Sequence, residues 1–293
     1  MNEHIMSPGA ATCDIVETMM SHFILTRFNP RIGEGLRGLD EDWLEARMAL
    51  FEDFCAPSVR RQTCQDFTWL VFFDVRTPPA FRQRIDELAE RFRFEPVWLD
   101  GEFSFQVASE ELHRRPQLGD LVITTSLDND DALHPRYVAM AHEHFEGALP
   151  GFLSFPHGAQ LAYGHFYRRP YLGNPFLSRL ERVDDDLSTV YDAEHWLPQD
   201  YRPKFVWTRE PAWLQIVHGG NLANDLRGVW VRPSSMARIF DISPDRHAPD
   251  EIRLSARWRR RLSSLTSLAP TANLRRRLGA LRSALPNHSR RQL

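Results

Sequence analysis

Apolar runs and amphipathic segments alternate through the first half of this chain. Runs of consecutive apolar residues, typical of strands buried on both faces, occur at His22–Phe28, Phe67–Phe73, Phe94–Leu99 and Leu121–Thr125. Segments with helical spacing of apolar residues lie between them, over Asp40–Cys55, from Thr77 onward and near Val107–Arg114. Because helices separate successive strands, the pattern predicts an α/β fold with a doubly wound, mostly parallel sheet.

The pattern changes after residue 147. Short strands are predicted within Gly151–Tyr163 and Ala212–Val217, and the segment between them is predicted to be irregular. Long irregular segments in compact domains are commonly functional loops. We therefore expect one main domain over residues 20–232 with an extension beside its sheet, preceded by a disordered lead over 1–19.

Composition is typical of a globular protein, with 42% hydrophobic and 26% charged residues. No apolar run reaches the roughly 18 residues that a membrane span needs. Met1–Met20 lacks the pattern of a signal peptide. The three cysteines, Cys13, Cys55 and Cys64, form no C-x-x-C pair, which favours a reducing, cytoplasmic location.

Charge is distributed unevenly. Arg253–Leu293 contains eleven of the 36 basic residues and none of the 39 acidic ones. Two stretches, Arg257–Leu262 and Leu274–Leu278, mix arginine with apolar residues as interfacial helices do, so 233–293 is predicted to be an Arg-rich helical tail. The tail could bind an anionic membrane surface, or it could pack on the acidic body or stay solvated. Nucleic-acid binding is the least favoured of these interpretations.

An acidic motif follows the fourth predicted strand. Asp128, Asp130 and Asp131 lie within four residues, directly before a proline-initiated helix start at Pro135. Carboxylates this close raise one another's pKa, and Mg²⁺ or Mn²⁺ is the simplest neutralising partner. Solvated loop acids in an Asn-containing turn are the alternative. The location at a strand's carboxyl end favours a ligand site, and Arg27, Asp74 and Asp100 follow the other strands.

Other sites fit the sequence poorly. Gly33–Gly38 matches G-x-G-x-x-G, but four residues separate it from the strand, and the next helix begins with three acids that would repel a pyrophosphate. An EF-hand would need glycine where Leu133 stands and glutamate at Ala139. No G-x-S-x-G elbow and no Cys/His zinc spacing is present. The sequence therefore favours a metal–diphosphate site over these alternatives. In such a site His218 is either a further ligand or a residue packed in a turn.

Leu127–Pro135 resembles the L-D-x-D-D motif of glycosyltransferases with the GT-A fold. Four other stretches are similar to a narrower bacterial family described as rhamnosyltransferases: His22–Asn29, Phe67–Asp74, Asn174–Ser178 and Val217–Asn221. The similarity extends from about residue 22 to 232. It implies metal-dependent transfer of a sugar, rhamnose by the family's name, from a nucleoside-diphosphate sugar to a glycan or lipid-linked acceptor.

The resemblance also implies residue roles. Asp130, Asp131 and His218 would bind Mn²⁺ or Mg²⁺. Donor contacts would come from residues in the matching stretches: Thr26, Arg27, Asn29, Asp74, Asp128, Asn174 and Asn221. The extension would then lie on the acceptor side.

The acceptor hydroxyl must lose a proton if the enzyme inverts the anomeric centre, and a carboxylate is the expected base. Glu181, Asp192 and Glu194 are the candidates, and the sequence does not choose among them. A nucleotidyltransferase or nucleotide-sugar pyrophosphorylase is the alternative enzyme. A nucleotide- or glycan-binding protein without turnover is the non-catalytic alternative.

Overall fold

A computed structural model of the 293-residue chain describes residues 19–33, 37–146, 148, 150–192, 203–218 and 226–242. The predicted lead falls outside this part except for Met19. The predicted tail also falls outside it, except for its first ten residues. No helix in the described part is long and apolar enough to cross a bilayer.

Twelve strands occur in the described ranges. In chain order they are β1 Met20–Arg27, β2 Thr68–Asp74, β3 Glu95–Leu99, β4 Leu121–Ser126, β5 Ala132–Leu133, β6 Gly151–Ser154, β7 His157–Ala162, β8 His165–Pro170, β9 Leu177–Arg182, β10 Lys204–Phe205, β11 Trp213–Val217 and β12 Val229–Val231. The α-helices are α1 Glu41–Leu50, α2 Ala56–Arg60, α3 Pro79–Phe92, α4 Phe105–His113, α5 Tyr137–Phe145 and α6 Pro233–Phe240. Short 3₁₀ turns lie at Arg37–Leu39 and Val190–Asp192.

The larger sheet has the strand order β10-β6-β9-β4-β1-β2-β3. Its four predicted strands, β1 to β4, pair in parallel, which confirms the mixed α/β architecture with a parallel sheet. Their alternate residues enter different cores. Ile24 and Val71 pack with α1, α3 and α5, whereas Phe23 and Leu25 pack with α4 on the opposite face. The sheet is therefore covered on both faces.

The smaller sheet has the order β12-β8-β7-β11-β5. Its β7 and β11 lie within predicted strands, but the prediction of an irregular segment between them was wrong. That segment contains β8, which pairs with β7 as a hairpin, and β9, which inserts antiparallel between β4 and β6. Charged residues within both strands, such as Arg168 and Glu181, obscured the apolar pattern.

The helix predicted over Asp40–Cys55 forms and continues beyond its predicted end. The Asp40 side chain caps α1 by accepting the N–H of Trp43 at 2.9 Å. A π-helical turn over Phe51–Cys55 joins α1 to α2. Leu44 and Met48 are fully buried on the inner face of α1, and this packing brings Arg47, which lies between them, towards the ends of the strands.

Candidate functional site

The predicted acidic residues lie in a loop that joins the two sheets. The N–H of Leu127 donates to the carbonyl of Leu25 at 3.1 Å, which holds the start of the loop beside β1. The loop then turns, and β5 pairs with β11 in the smaller sheet. We call Asp128–Asp131 the acidic loop. It lies beyond the carboxyl ends of parallel strands, where open α/β sheets bind ligands.

Asp130 is held between two cationic or potentially cationic side chains. Its Oδ2 accepts from Nη1 of Arg47 at 2.5 Å and lies 2.9 Å from Nε2 of His218. The same Nη1 donates to Oδ1 of Asn129 at 3.2 Å. Burial alone would raise the pKa of Asp130, but the His218 hydrogen bond and the Arg47 charge outweigh it and lower that pKa. Asp130 is therefore a stable carboxylate.

Asp131 makes a different set of contacts. Its Oδ1 accepts the backbone N–H of Ile216 at 2.8 Å, and its Oδ2 is buried without a hydrogen-bond partner. Burial, and then the charges of Asp130 and Asp128, raise the pKa of Asp131 well above its usual value. The bond to Ile216 fixes β11, and His218 follows this strand directly. Asp131 thus helps to position His218.

Asp128 is the most accessible acid of the loop, with 41% of its side chain exposed. It lies 3.7 Å from Nη2 of Arg27, and the guanidinium of Arg27 lies 4.7 Å from the ring centre of Tyr191. Tyr191 donates its hydroxyl to the carbonyl of Leu25 and packs edge-on against Phe103. Burial, despite the Arg27 charge, raises the pKa of Tyr191 to about 12. These side chains form a polar, aromatic-lined region beside the acidic loop.

Asp74 ends β2 and is bound by Arg76. The carboxylate accepts Nε and Nη2 of Arg76 at 3.0 and 2.7 Å and the Arg76 N–H at 2.8 Å. The side-chain hydrogen bond is the main reason why the pKa of Asp74 is lowered. Asn29 joins this corner, because its Nδ2 donates to Gly38 and Thr77 while its Oδ1 lies 3.4 Å from the Asp74 N–H. Asn29 therefore braces the strand ends.

The predicted metal ligands come together only in part. Asp130 and His218 are in contact. Asp131 instead accepts the N–H of Ile216 with one oxygen, and its other oxygen is buried without a hydrogen-bond partner. Within the described ranges, no group of three or more Asp, Glu, His or Cys side chains is arranged to hold a metal ion. With Arg47 also bound to Asp130 Oδ2, the described side chains do not fit a divalent cation with three protein ligands.

Two predicted donor contacts lie inside the protein. Thr26 is fully buried, and its hydroxyl accepts the indole N–H of Trp69 at 3.0 Å. Asn174 is also fully buried, and its Nδ2 donates to Ser154, Phe155 and Tyr171. Both side chains therefore bind within the protein interior and stabilise the fold. The matching stretches do not show which way each side chain points.

The candidate bases are placed differently from one another. Glu181 pairs with Val122 across β4 and β9, and Val122 precedes Ser126 by four residues, about 13 Å along the strand. Its carboxylate accepts the N–H groups of Ser188 and Thr189. Glu181 is thus far from the acidic loop and has a structural role. Asp192 directly follows Tyr191 and accepts from Arg179 at 3.0 Å. Glu194 and Asn221 lie outside the described residues.

Arg47 and Tyr191 are site residues that the sequence did not reveal. Arg47 interrupts the apolar face of the helix predicted over Asp40–Cys55, and a charge on such a face needs a buried partner. That requirement was a usable signal for a contact with an acid. Tyr191 carries no such signal, because its position depends on how the chain folds back over β4 after β9.

Comparison with protein families places this chain in a known family. The model of the family described as "Putative rhamnosyl transferase" matches residues 37–228, well over half of the chain. The chain belongs to this family. This confirms the predicted resemblance to the rhamnosyltransferase family. The matched region includes α1 with Arg47, the acidic loop, β9 and β11. The comparison with curated proteins gave no significant match.

The solved structures that match this member of the rhamnosyl transferase family share little sequence with it. S. aureus TarS 1–349 in complex with UDP-GlcNAc matches with a TM-score of 0.44 and 11% identity, over 75% of this chain and 64% of that chain. TarS 1–349 without a named ligand matches with a TM-score of 0.40 and 10% identity, over 67% of this chain and 60% of that chain. Mouse xyloside xylosyltransferase 1 matches with a TM-score of 0.30 and 12% identity, over 63% of this chain and 77% of that chain. The chain thus spans less than two thirds of the TarS fragment.

Proposed function

We propose that this protein transfers a glycosyl group, rhamnosyl in keeping with its family, from a nucleoside-diphosphate sugar to a hydroxyl of a glycan or lipid-linked acceptor. Family membership supports the class of reaction. The single observation that supports the donor most is the acidic loop at the carboxyl ends of β1 and β4, with one arginine beside Asp128 and another beside Asp130. Carboxylates suit ribose hydroxyls, and guanidinium groups suit phosphates.

Different residues would contact different parts of the nucleotide-sugar donor. Asp128, partly exposed, accepts hydrogen bonds from the ribose, and Arg27 lies beside it to bind phosphate or base. Asp74 and Arg76 form the adjacent corner for the nucleobase. Asn29 holds that corner in place through its bonds to Gly38 and Thr77.

The reaction forms a bond between the acceptor oxygen and the anomeric carbon while the bond from that carbon to the diphosphate breaks. The electron pair of the broken bond leaves with the nucleoside diphosphate, and the acceptor's proton passes to a carboxylate. We keep Asp192 and Glu194 as candidates for that base. Glu181 is withdrawn as a candidate because of its distance from the acidic loop along β4.

The resemblance predicts dependence on Mn²⁺ or Mg²⁺, with Asp130, Asp131 and His218 as ligands. Of these, the structure brings only Asp130 and His218 into contact, and the described side chains are not arranged to hold a divalent ion. Metal-dependent and metal-independent turnover are therefore competing predictions. Measuring turnover with and without a chelator tests this dependence directly.

A donor screen tests the proposed function. Purified full-length protein is incubated with dTDP-, UDP- and GDP-sugars, and release of the nucleoside diphosphate is measured with and without candidate acceptors. We expect one donor class to be consumed, with Asp128→Asn reducing consumption at least tenfold. Asp185→Asn, a change in an exposed acid far along the chain, is the matched control. Release of inorganic pyrophosphate instead would indicate a nucleotidyltransferase, and binding without release would indicate a non-catalytic protein.

Membrane binding through the predicted tail, which lies beyond the described residues, is a separate proposal. Its support is the sequence alone, with eleven arginines in Arg253–Leu293. Sedimentation with vesicles containing phosphatidylglycerol should retain the full chain and release a chain ending at residue 252. Equal retention of both would contradict the proposal.

A further inference from the structure

Arg47 is a charged residue on a helix face that is otherwise packed against the core. Its neighbours on that face, Leu44 and Met48, are fully buried, and only 12% of its own side chain is exposed. The guanidinium lies 5.3 Å from the ring centre of Trp43. Such a charge must be compensated, and Asp130 provides the compensation at 2.5 Å. α1 thus delivers one fixed positive charge to the acidic loop.

The pairing with Asp130 uses only part of the guanidinium. Nη1 makes both hydrogen bonds that the described part of the chain offers to Arg47, to Asn129 and Asp130. Nε and Nη2 donate no hydrogen bond within the described ranges, and 12% of the side chain is exposed. A guanidinium carries five N–H donors in a planar fork. Arg47 can therefore hold Asp130 with one edge and bind an anion with another.

Arg47 contacts the same oxygen of Asp130 that lies beside His218. Both Arg47 and His218 contact Oδ2 of Asp130, so a divalent ion on that oxygen would lie against the guanidinium. The positive charges of the ion and of the guanidinium would then be in contact and would repel one another. The other two acids of the loop are placed differently: Asp131 accepts from Ile216 with one oxygen and has the other buried without a hydrogen-bond partner, and Asp128 lies 3.7 Å from Arg27. The geometry favours one cation beside Asp130, and the chain already provides it.

We propose that Arg47 is the cation of the donor site: it neutralises Asp130 and binds the diphosphate, so that nucleoside-diphosphate binding needs no divalent ion. This inference rests on the proposed function. As the bond between the anomeric carbon and the diphosphate oxygen breaks, the electron pair stays on that oxygen. Arg47 stabilises the added negative charge through charge-assisted hydrogen bonds.

Calorimetric titration of the full-length protein with UDP, dTDP and GDP, in EDTA and then in MnCl₂, tests this inference. We expect the nucleotide that binds to show the same affinity in both buffers within about threefold. Arg47→Met should weaken binding in EDTA about 10- to 100-fold, the loss expected for one hydrogen bond to a charged group. Arg47→Lys keeps the charge but loses the planar guanidinium, so its nucleotide affinity in EDTA should lie between those of the wild type and Arg47→Met.

Controls separate a binding role from a folding role. Arg84→Met removes another partly buried arginine, paired with Glu45 and Glu52, and should leave nucleotide affinity unchanged. The double variant Arg47→Met/Asp130→Asn removes the ion pair without leaving an isolated buried charge. It should fold and still bind poorly in EDTA.

Two results would overturn the inference in different ways. Binding that requires MnCl₂ and is equally strong in the wild type and in Arg47→Met would refute the role of Arg47 and leave the proposed function intact. Absence of binding by the wild type in both buffers would refute the proposed donor, and the role of Arg47 with it.

Discussion

Gly158 lies in β7 directly beneath the indole of Trp213, and replacing it by alanine should destabilise the protein strongly. A Cβ at this position would lie 2.1–2.2 Å from three ring atoms of Trp213, where ordinary contact begins at 3.4 Å. Trp213 is fully buried, stacks on Phe176 with ring centres 4.8 Å apart, and donates its indole N–H to Phe155 at 2.8 Å. The indole must therefore move by more than 1 Å, at the expense of the stack and the hydrogen bond.

The magnitude follows from these two losses. Overpacking of a core costs about 1–3 kcal/mol, and a weakened buried hydrogen bond adds about 1 kcal/mol, so Gly158→Ala should cost about 2–4 kcal/mol. For a protein of this size the melting temperature should fall by roughly 5–15 °C. Thermal unfolding followed by circular dichroism measures this shift.

Gly151→Ala is the matched control, because Gly151 also lies in a strand and a Cβ there meets nothing within 4 Å. Its melting temperature should stay within about 2 °C of the wild type. If Gly158→Ala melted as high as Gly151→Ala, the packing of β7 against Trp213 described here would be wrong.

Three further predictions concern residues near the sheet. Burial, and then His142, lower the pKa of His22, so the folded state holds it neutral while the unfolded state protonates near its ordinary pKa of about 6.5. The free energy of unfolding should therefore be highest above about pH 6.5 and should fall by up to about 1.4 kcal/mol per pH unit below it. Urea unfolding should show that this free energy depends less on pH in His22→Gln than in the wild type. Asn174→Ala removes three donated side-chain hydrogen bonds and should lower stability by about 2–3 kcal/mol while nucleotide affinity stays unchanged; a selective loss of affinity would return Asn174 to the donor site. Glu181→Gln should lower the melting temperature yet keep transfer within about threefold of the wild type, and a 100-fold loss of turnover in a folded variant would make Glu181 a base after all.

Most of the parallel half of the fold could be predicted from the sequence. The strands β1 to β4 are buried on both faces, so their apolar runs are almost unbroken, and their boundaries differ from the prediction by one or two residues. β9 could not be predicted in the same way. Arg179 and Glu181 form an ion pair with each other, and both hydrogen-bond to the backbone of Thr189. Charged residues that suggest solvent exposure are therefore largely buried.

The acidic loop was predictable because its position after a buried strand decides where its carboxylates lie. The partners of those carboxylates were not. Arg47 is 83 residues away from Asp130 along the chain, and only the docking of α1 on the sheet brings the two together. The orientation of Asp131 could not be predicted either, because a motif of adjacent acids does not show that one of them points inward to the backbone of Ile216.

Consumption of a nucleoside-diphosphate sugar tests the central claim most directly. The measurement is release of nucleoside diphosphate from dTDP-, UDP- and GDP-sugars by the wild type, Asp128→Asn and the control Asp185→Asn. We expect release from one donor class by the wild type and the control, and at least tenfold less by Asp128→Asn. Release by none of the three proteins from any donor, with well-folded protein and with MnCl₂ present, would contradict it.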